Sequence, residues 1–276
     1  MWQIQSPIDG GVVVVTGASS GIGAQMARQL AARAAVLVLV ARRKPRLDAL
    51  AEELGPARSA VDVRPCDLTD SAAVEALVAG VIEDHGRVDV LINNAGMGDI
   101  GLFEESHPDK NLRMLQVNVV ALTALTRAVL PGMVGRRKGG VLNVSSGFGL
   151  LTSPGFTAYA ASKHYVSGFT EGLRTELGGT GVRVVQVCPG PVATEFEAVA
   201  GNPTGQKVPG FIELTAAACA SSAIAALDRD RALTVPGVAA WLLIHASWWS
   251  PLVVRRAFLT LVGRFVRPKL TRQQSA

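Results

Sequence analysis

Only three of the 276 residues are cysteine, Cys66, Cys188 and Cys219, an odd number in apolar or strand-like surroundings. No C-x-x-C or Cys/His ligand spacing occurs, so the expectation is a reducing compartment and no metal site. Charge is scarce too. Charged residues make up 18% against 49% hydrophobic, which excludes global disorder and leaves material for a sizeable core. The net charge of +5 comes without a long basic stripe interleaved with aromatics, so no nucleic acid partner is expected. Basic residues are dispersed apart from Arg42-Arg43-Lys44, Arg136-Arg137-Lys138 and the C-terminal quarter. The four histidines (His85, His107, His164, His245) form no pair and read as surface or packed side chains. Met1 to Gly10 lacks the basic-then-apolar pattern of a secretion signal, and a cytoplasmic location is expected. The length suits one large α/β domain.

What is present begins with Val12-Val13-Val14-Val15, a β-branched apolar run typical of a parallel strand buried on both faces. It leads into Thr16-Gly17-Ala18-Ser19-Ser20-Gly21-Ile22-Gly23 and then a helical pattern. Strand, glycine turn and helix together make a phosphate site: glycines allow close backbone approach, and the helix N-terminus offers unpaired N–H groups. The spacing G-x-x-x-G-x-G is not a P-loop, because Ala24 stands where a lysine would follow.

A second strand, Val36 to Val40, ends at Ala41-Arg42-Arg43. An acid at that position would grip a ribose 2′-hydroxyl; none is there. Two guanidiniums suit a 2′-phosphate, so NADP(H) is expected over NAD(H). A third strand runs to Cys66-Asp67-Leu68, where Asp67 is either an adenine contact or a loop cap. A helix over Ser71 to His85 precedes a fourth strand ending in Asn93-Asn94-Ala95-Gly96. Pro108 to Val134 carries two helical patterns, the second holding Asn118 in an apolar stretch, where it must find partners. Gly139 to Ser145 is the fifth strand and Ser146 lies at its carboxyl end, where ligands of parallel sheets bind.

Tyr159 and Lys163 lie one helical turn apart on one face. A cation about 4 Å from a phenol favours the phenolate by roughly 4 kcal/mol at an effective dielectric near 20. The expectation is therefore a tyrosine pKa lowered by about 3 units, useful near neutrality. Ser146 is favoured over Ser145 as their companion because side chains alternate along a strand. The sixth strand, Val182 to Val187, ends in Cys188-Pro189-Gly190-Pro191-Val192-Ala193-Thr194, and Glu195 to Gly210 has the length of a lid.

These motifs together resemble the short-chain dehydrogenase/reductase family over about residues 10 to 235. They are T-G-x-x-x-G-I-G at Thr16 to Gly23, N-N-A-G at Asn93 to Gly96, Asn118, Ser146, Y-x-x-x-K at Tyr159 to Lys163, and P-G-x-x-x-T at Pro189 to Thr194. The resemblance implies a doubly wound parallel sheet of Rossmann type and a nicotinamide-dependent carbonyl or alcohol oxidoreductase, usually a homodimer or homotetramer. It assigns Tyr159 to proton exchange, Lys163 to tuning that tyrosine and holding the nicotinamide ribose, Ser146 to the substrate oxygen, and Asn118 to a water in a proton relay. For the cofactor it implies Gly17, Ser19, Ser20, Gly21, Ile22 and Gly23 in the turn, and Asp67 and Leu68 near adenine. It adds Asn94, Ala95 and Gly96, then Pro189, Gly190, Val192 and Thr194, the last on the carboxamide.

The family pattern fades from Thr234, so residues 1–235 are expected to form the catalytic domain and 236–276 a helical extension. That extension mixes Trp241, Trp248, Trp249, Phe258 and Phe265 with Arg255, Arg256, Arg264, Arg267 and Lys269. Four readings are open: a lid over an apolar substrate pocket, a basic amphipathic helix on an anionic membrane, an oligomer interface, or a transmembrane anchor. Breaks at Pro236, Gly237, Ser250 and Pro251 argue against the last. Lid and membrane both point to a lipophilic carbonyl substrate. Two other functions stay open: an oxoacyl carrier-protein reductase, with Arg136, Arg137 and Lys138 as a carrier landing patch, and a cofactor-binding regulator without catalysis.

Overall fold

The computed structural model describes residues 6–55, 59–196, 200–201 and 213–271. Val12–Thr16 (β1) is β-branched and buried at every position. Its alternation feeds two cores. Val13 and Val15 pack on one face of the sheet, Val12 and Val14 on the other. The same division holds in Val36–Ala41 (β2), whose Leu37 and Leu39 share the first core and Val38 and Val40 the second. Ala60–Pro65 (β3), Val90–Asn93 (β4), Gly139–Val144 (β5), Val182–Val187 (β6) and a short Leu233–Thr234 strand (β9) complete a parallel sheet in the order β3-β2-β1-β4-β5-β6-β9. Two further short strands, Val192–Ala193 (β7) and Leu214–Thr215 (β8), pair beside it. This is the expected doubly wound arrangement.

Helices cover both faces because each has one apolar stripe. Gly21–Leu30 (α1), Lys44–Leu54 (α2) and Ala216–Asp228 (α7) fill the first core through residues such as Met26, Leu47 and Leu227. Ser71–His85 (α3) buries Val74, Leu77, Val78 and Val81 in the second. Its limits are chemical: the Asp70 carboxylate accepts from the N–H groups of Ala72 and Ala73, and Gly86 ends the helix in a left-handed conformation. Thr157–Glu176 (α6) follows β5 on the same face.

The stretch read as two helical patterns is one 28-residue helix, Pro108–Gly135. Its parts are Pro108–Leu115 (α4), a π-helical segment Gln116–Ala121, and Leu122–Gly135 (α5). Length and composition alone would let it cross a membrane, but Leu125, Val129 and Met133 are buried in the second core. Beyond the sheet lie Val238–Trp249 (α8) and Leu252–Thr271 (α9), separated at Ser250-Pro251. Of the expected lid, residues 197–199 and 202–210 lie outside the described residues.

Candidate active site

The cleft opens where the carboxyl ends of β1 and β4 diverge, the switch point at which doubly wound sheets bind ligands. Thr16 fastens its floor. Its hydroxyl donates to the carbonyl of Ile92 at 3.1 Å and accepts from the N–H groups of Asn94 and Ala95, each at 3.0 Å. The Asn94 amide donates back to the Thr16 carbonyl at 2.9 Å. Glycine is required in this turn. Gly17 has φ +68°, and a Cβ there would lie 2.9 Å from Ala95 Cα; at Gly23 it would lie 2.4 Å from the Asn94 amide nitrogen. Gly17 and Gly21 thus bring bare backbone to the cleft beside the start of α1, which is the fit a dinucleotide pyrophosphate needs.

Most of the residues expected from sequence border one space of about 330 Å³. Gly17, Ser19, Ser20, Gly21 and Ile22 line it on one side, together with Arg42, Arg43, Asp67 and Leu68. Asn94, Ala95, Gly96, Ser146, Tyr159, Lys163, Pro189, Gly190 and Thr194 line the remainder. Gly23 and Val192 do not line it. Gly23 sits behind the turn against Asn94, and Val192 pairs with Leu214.

Arg43 reaches across the glycine turn, donating to the Ser20 hydroxyl at 2.9 Å and to the Ser19 hydroxyl at 3.1 Å. Its other arm meets the Glu195 carboxylate at 3.0 Å, and Arg46 meets the same carboxylate at 2.6 Å. Arg46 and Arg43 hold that carboxyl below the usual range. The Asp67 carboxylate accepts from the Thr69 backbone N–H at 3.0 Å and its hydroxyl at 2.9 Å, so it caps its own loop while bordering the cleft.

At the other end, Ser146 and Tyr159 border the same cleft, and the Ser146 hydroxyl accepts from the Phe148 N–H at 3.1 Å. Ser145 is otherwise engaged: its hydroxyl donates to the Lys163 carbonyl at 3.1 Å and bonds Ser167 at 3.0 Å. Tyr159 and Lys163 project from one face of α6, with Lys163 Nζ 6.0 Å from the phenol ring centre and donating to the Val144 carbonyl at 2.9 Å. The expected depression of the tyrosine pKa does not occur. Burial raises the phenol to about 12, and the neighbouring Ser146 hydroxyl opposes that shift without overcoming it. Burial also lowers Lys163 to about 8. The reason is that the helix–sheet interface withdraws both groups from water, and desolvation disfavours each charged form.

Asn118 does not line the cleft. It lies behind Lys163 on the π-helical segment, an irregularity common at functional sites. Its carbonyl oxygen accepts from the Met97 N–H at 2.8 Å, while its amide donates to the Met97 carbonyl at 2.9 Å and the Ser162 hydroxyl at 3.0 Å. A Cβ on Gly96 would stand 3.4 Å from Lys163 Nζ and 3.5 Å from Asn118 Oδ1. Glycine at 96 therefore leaves a niche joining the two.

Three aromatic residues were missed. Phe196, Phe148 and Phe156 surround Tyr159 with ring centres 5.4, 6.3 and 6.5 Å away. The available signal was position, since each lies two or three residues from Ser146, Tyr159 or Thr194. Arg136, Arg137 and Lys138 stand just before β5, whereas Ser146 follows its carboxyl end. That puts them across the sheet from the cleft and removes them as a carrier landing patch.

Near the cleft, α8 passes Gly190 and Gly147. A Cβ on the first would lie 2.8 Å from Ala240, and on the second 3.9 Å from Ile244. The far end of α9 meets the loops at 101–105 and 153–156, through Leu270 at Gly155 and an Arg267–Glu104 ion pair of 2.5 Å.

Residues 11–203 match the family described as short chain dehydrogenase. The chain is 40% identical over 190 residues to human dehydrogenase/reductase SDR family member 7, covering 67% of this chain but 56% of that protein. A short-chain dehydrogenase from Sphingobium yanoikuyae in complex with NADPH superposes with a TM-score of 0.77 at 35% identity, covering 86% of this chain and 93% of the other. One from Burkholderia phymatum in complex with NAD gives a TM-score of 0.78 at 28% identity, covering 89% and 94%. The cleft at the β1/β4 switch point, its glycine turn and these matches lead to one conclusion: the chain belongs to the short-chain dehydrogenase/reductase family of oxidoreductases.

Proposed function

We propose that the protein interconverts a carbonyl and an alcohol on a bulky lipophilic substrate with NADP(H), and that Tyr159 exchanges the proton. The observation that carries this is the convergence of Ser146, Tyr159 and buried Lys163 on one cleft with the glycine turn. Gly17 to Gly21 would hold the pyrophosphate, Lys163 the nicotinamide ribose and Thr194 the carboxamide. Arg42 and Arg43 would hold a 2′-phosphate, favoured by the lack of an acid directly at the end of β2. A nicotinamide held by these residues would supply or accept hydride at the substrate carbon.

The protein's part is the proton and the oxygen. The Ser146 hydroxyl and Tyr159 phenol hold a substrate oxygen between them. A phenol at about 12 carries its proton throughout the neutral range and donates it as negative charge develops on that oxygen. Lys163, at about 8, is mostly ammonium at pH 7 and stabilises the phenolate that remains. The Gly96 niche beside Asn118 offers the route by which Tyr159 recovers its proton from solvent. Phe148, Phe156 and Phe196 present an apolar wall around Tyr159, and α8 passes beside the cleft at Gly190; the wall favours large apolar ketones.

NADPH consumption across a ketone panel tests the reading. Wild type turns over apolar ketones; Tyr159→Phe binds NADPH equally well but loses about 100- to 10,000-fold in turnover. Near-normal turnover by Tyr159→Phe, or no consumption by wild type with any ketone, overturns it, the latter in favour of a regulator. As in the family resemblance, the working form is taken to be a homodimer or homotetramer, which light scattering measures directly.

A further inference from the structure

Twelve of the eighteen exposed large hydrophobic side chains among the described residues fall after residue 237. On α9, Leu259, Val262, Gly263, Val266 and Leu270 are half-buried or buried and form the inward stripe. Val254, Phe258, Leu261 and Phe265 form a second apolar stripe, 52% to 68% exposed, that turns away from the protein. Exposed Arg264 lies about a quarter turn to one side of it and exposed Arg256 further round, while Arg267 pairs with Glu104. On α8, Trp241, Leu242, Trp248 and Trp249 are also outward, Trp249 being 86% exposed.

Charge follows the same division. No Asp or Glu occurs after Asp230, whereas seven Arg or Lys do, so the net +5 of the chain comprises +7 after that residue and −2 before it. We propose that the outward faces of α8 and α9 seat on an anionic lipid surface, beside the cleft that α8 passes at Gly190. An apolar stripe with arginines to its side, and tryptophans at its border, matches the acyl boundary below and the phosphate layer around it. A second copy of this chain is the poorer occupant, because it would set one cationic segment against another. The surface is not crossed: α8 has 12 residues, about 18 Å, against a hydrocarbon thickness of about 30 Å, and α9 carries arginines along its length. If the substrate reading above holds, a lipophilic ketone reaches the cleft from the layer in which it dissolves.

Flotation of the full chain with vesicles tests this without any activity measurement. Vesicles of phosphatidylcholine mixed with phosphatidylglycerol should carry the protein, phosphatidylcholine alone much less, and added salt should release it. Arg256→Ala and Arg264→Ala should each weaken binding about fivefold. Phe258→Ser with Phe265→Ser should weaken it further, with turnover of a water-soluble ketone unchanged in all variants. Tryptophan emission of the unmodified chain should shift to the blue and be quenched by brominated lipid, a readout that needs no variant. No flotation at low salt, equal flotation with neutral vesicles, or self-association that shields the tryptophans without lipid binding overturns the proposal.

Discussion

Lys163 is 5% exposed and its ammonium has one hydrogen bond, to the Val144 carbonyl at 2.9 Å. Burial lowers its pKa from 10.5 to about 8, so folding discriminates against the charged form. Because the folded value is the lower one, the associated stability is present above 10.5 and lost as pH falls through 8. At pH 7 the buried ammonium thus costs about 3 kcal/mol, and at pH 10 about 1 kcal/mol. Lys163→Met keeps the stem and removes the charge. It also orphans the Val144 carbonyl, at about 1–3 kcal/mol, a loss that is the same at both pH values. Comparing the two proteins by urea unfolding at pH 7 and pH 10 cancels that loss. The variant should gain about 2 kcal/mol relative to wild type on going from pH 10 to pH 7. A difference independent of pH would refute the reasoning, and would mean that Lys163 is solvated or compensated in the folded chain.

Glu195→Gln removes the carboxylate that occupies Arg43 and Arg46, and should tighten NADPH several-fold while leaving NADH unchanged in a fluorescence titration. Phe196→Ala opens the wall beside Tyr159 and should lower kcat/KM about tenfold for aryl ketones, but little for small aliphatic ones. Met133→Ala empties a fully buried position between α5 and β5 and should cost about 2–5 kcal/mol in urea unfolding, with turnover per folded molecule retained.

The fold was legible because its signals are local. The β-branched runs at 12–15, 36–40 and 182–187 gave their strands nearly to the residue, and α3 carries its own cap and stop at Asp70 and Gly86. The glycine turn was legible because its spacing reports where backbone must approach backbone. The π-helical segment at 116–121 was not, since a one-residue widening leaves the apolar pattern of the long helix almost unchanged. The aromatic wall around Tyr159 was equally hidden, because its members come from loops after β5, before α6 and after β7 that meet only in the folded chain.

The failed expectation for Tyr159 has the same origin and bears on how the site works. Helical spacing correctly placed phenol and ammonium on one face, but a pair energy taken at a dielectric of about 20 counts only attraction. Here both groups are buried, and losing water raises the phenol and lowers the ammonium. Such a pair rests neutral at the tyrosine and gains from the lysine chiefly when the phenolate appears. The interaction is therefore stronger as the proton leaves than before, which is the condition for lowering a barrier instead of stabilising the resting state. In the proposed reaction, burial of Lys163 thus weakens the fold and strengthens proton donation through one cause, and the pH dependence of Lys163→Met measures that cause directly.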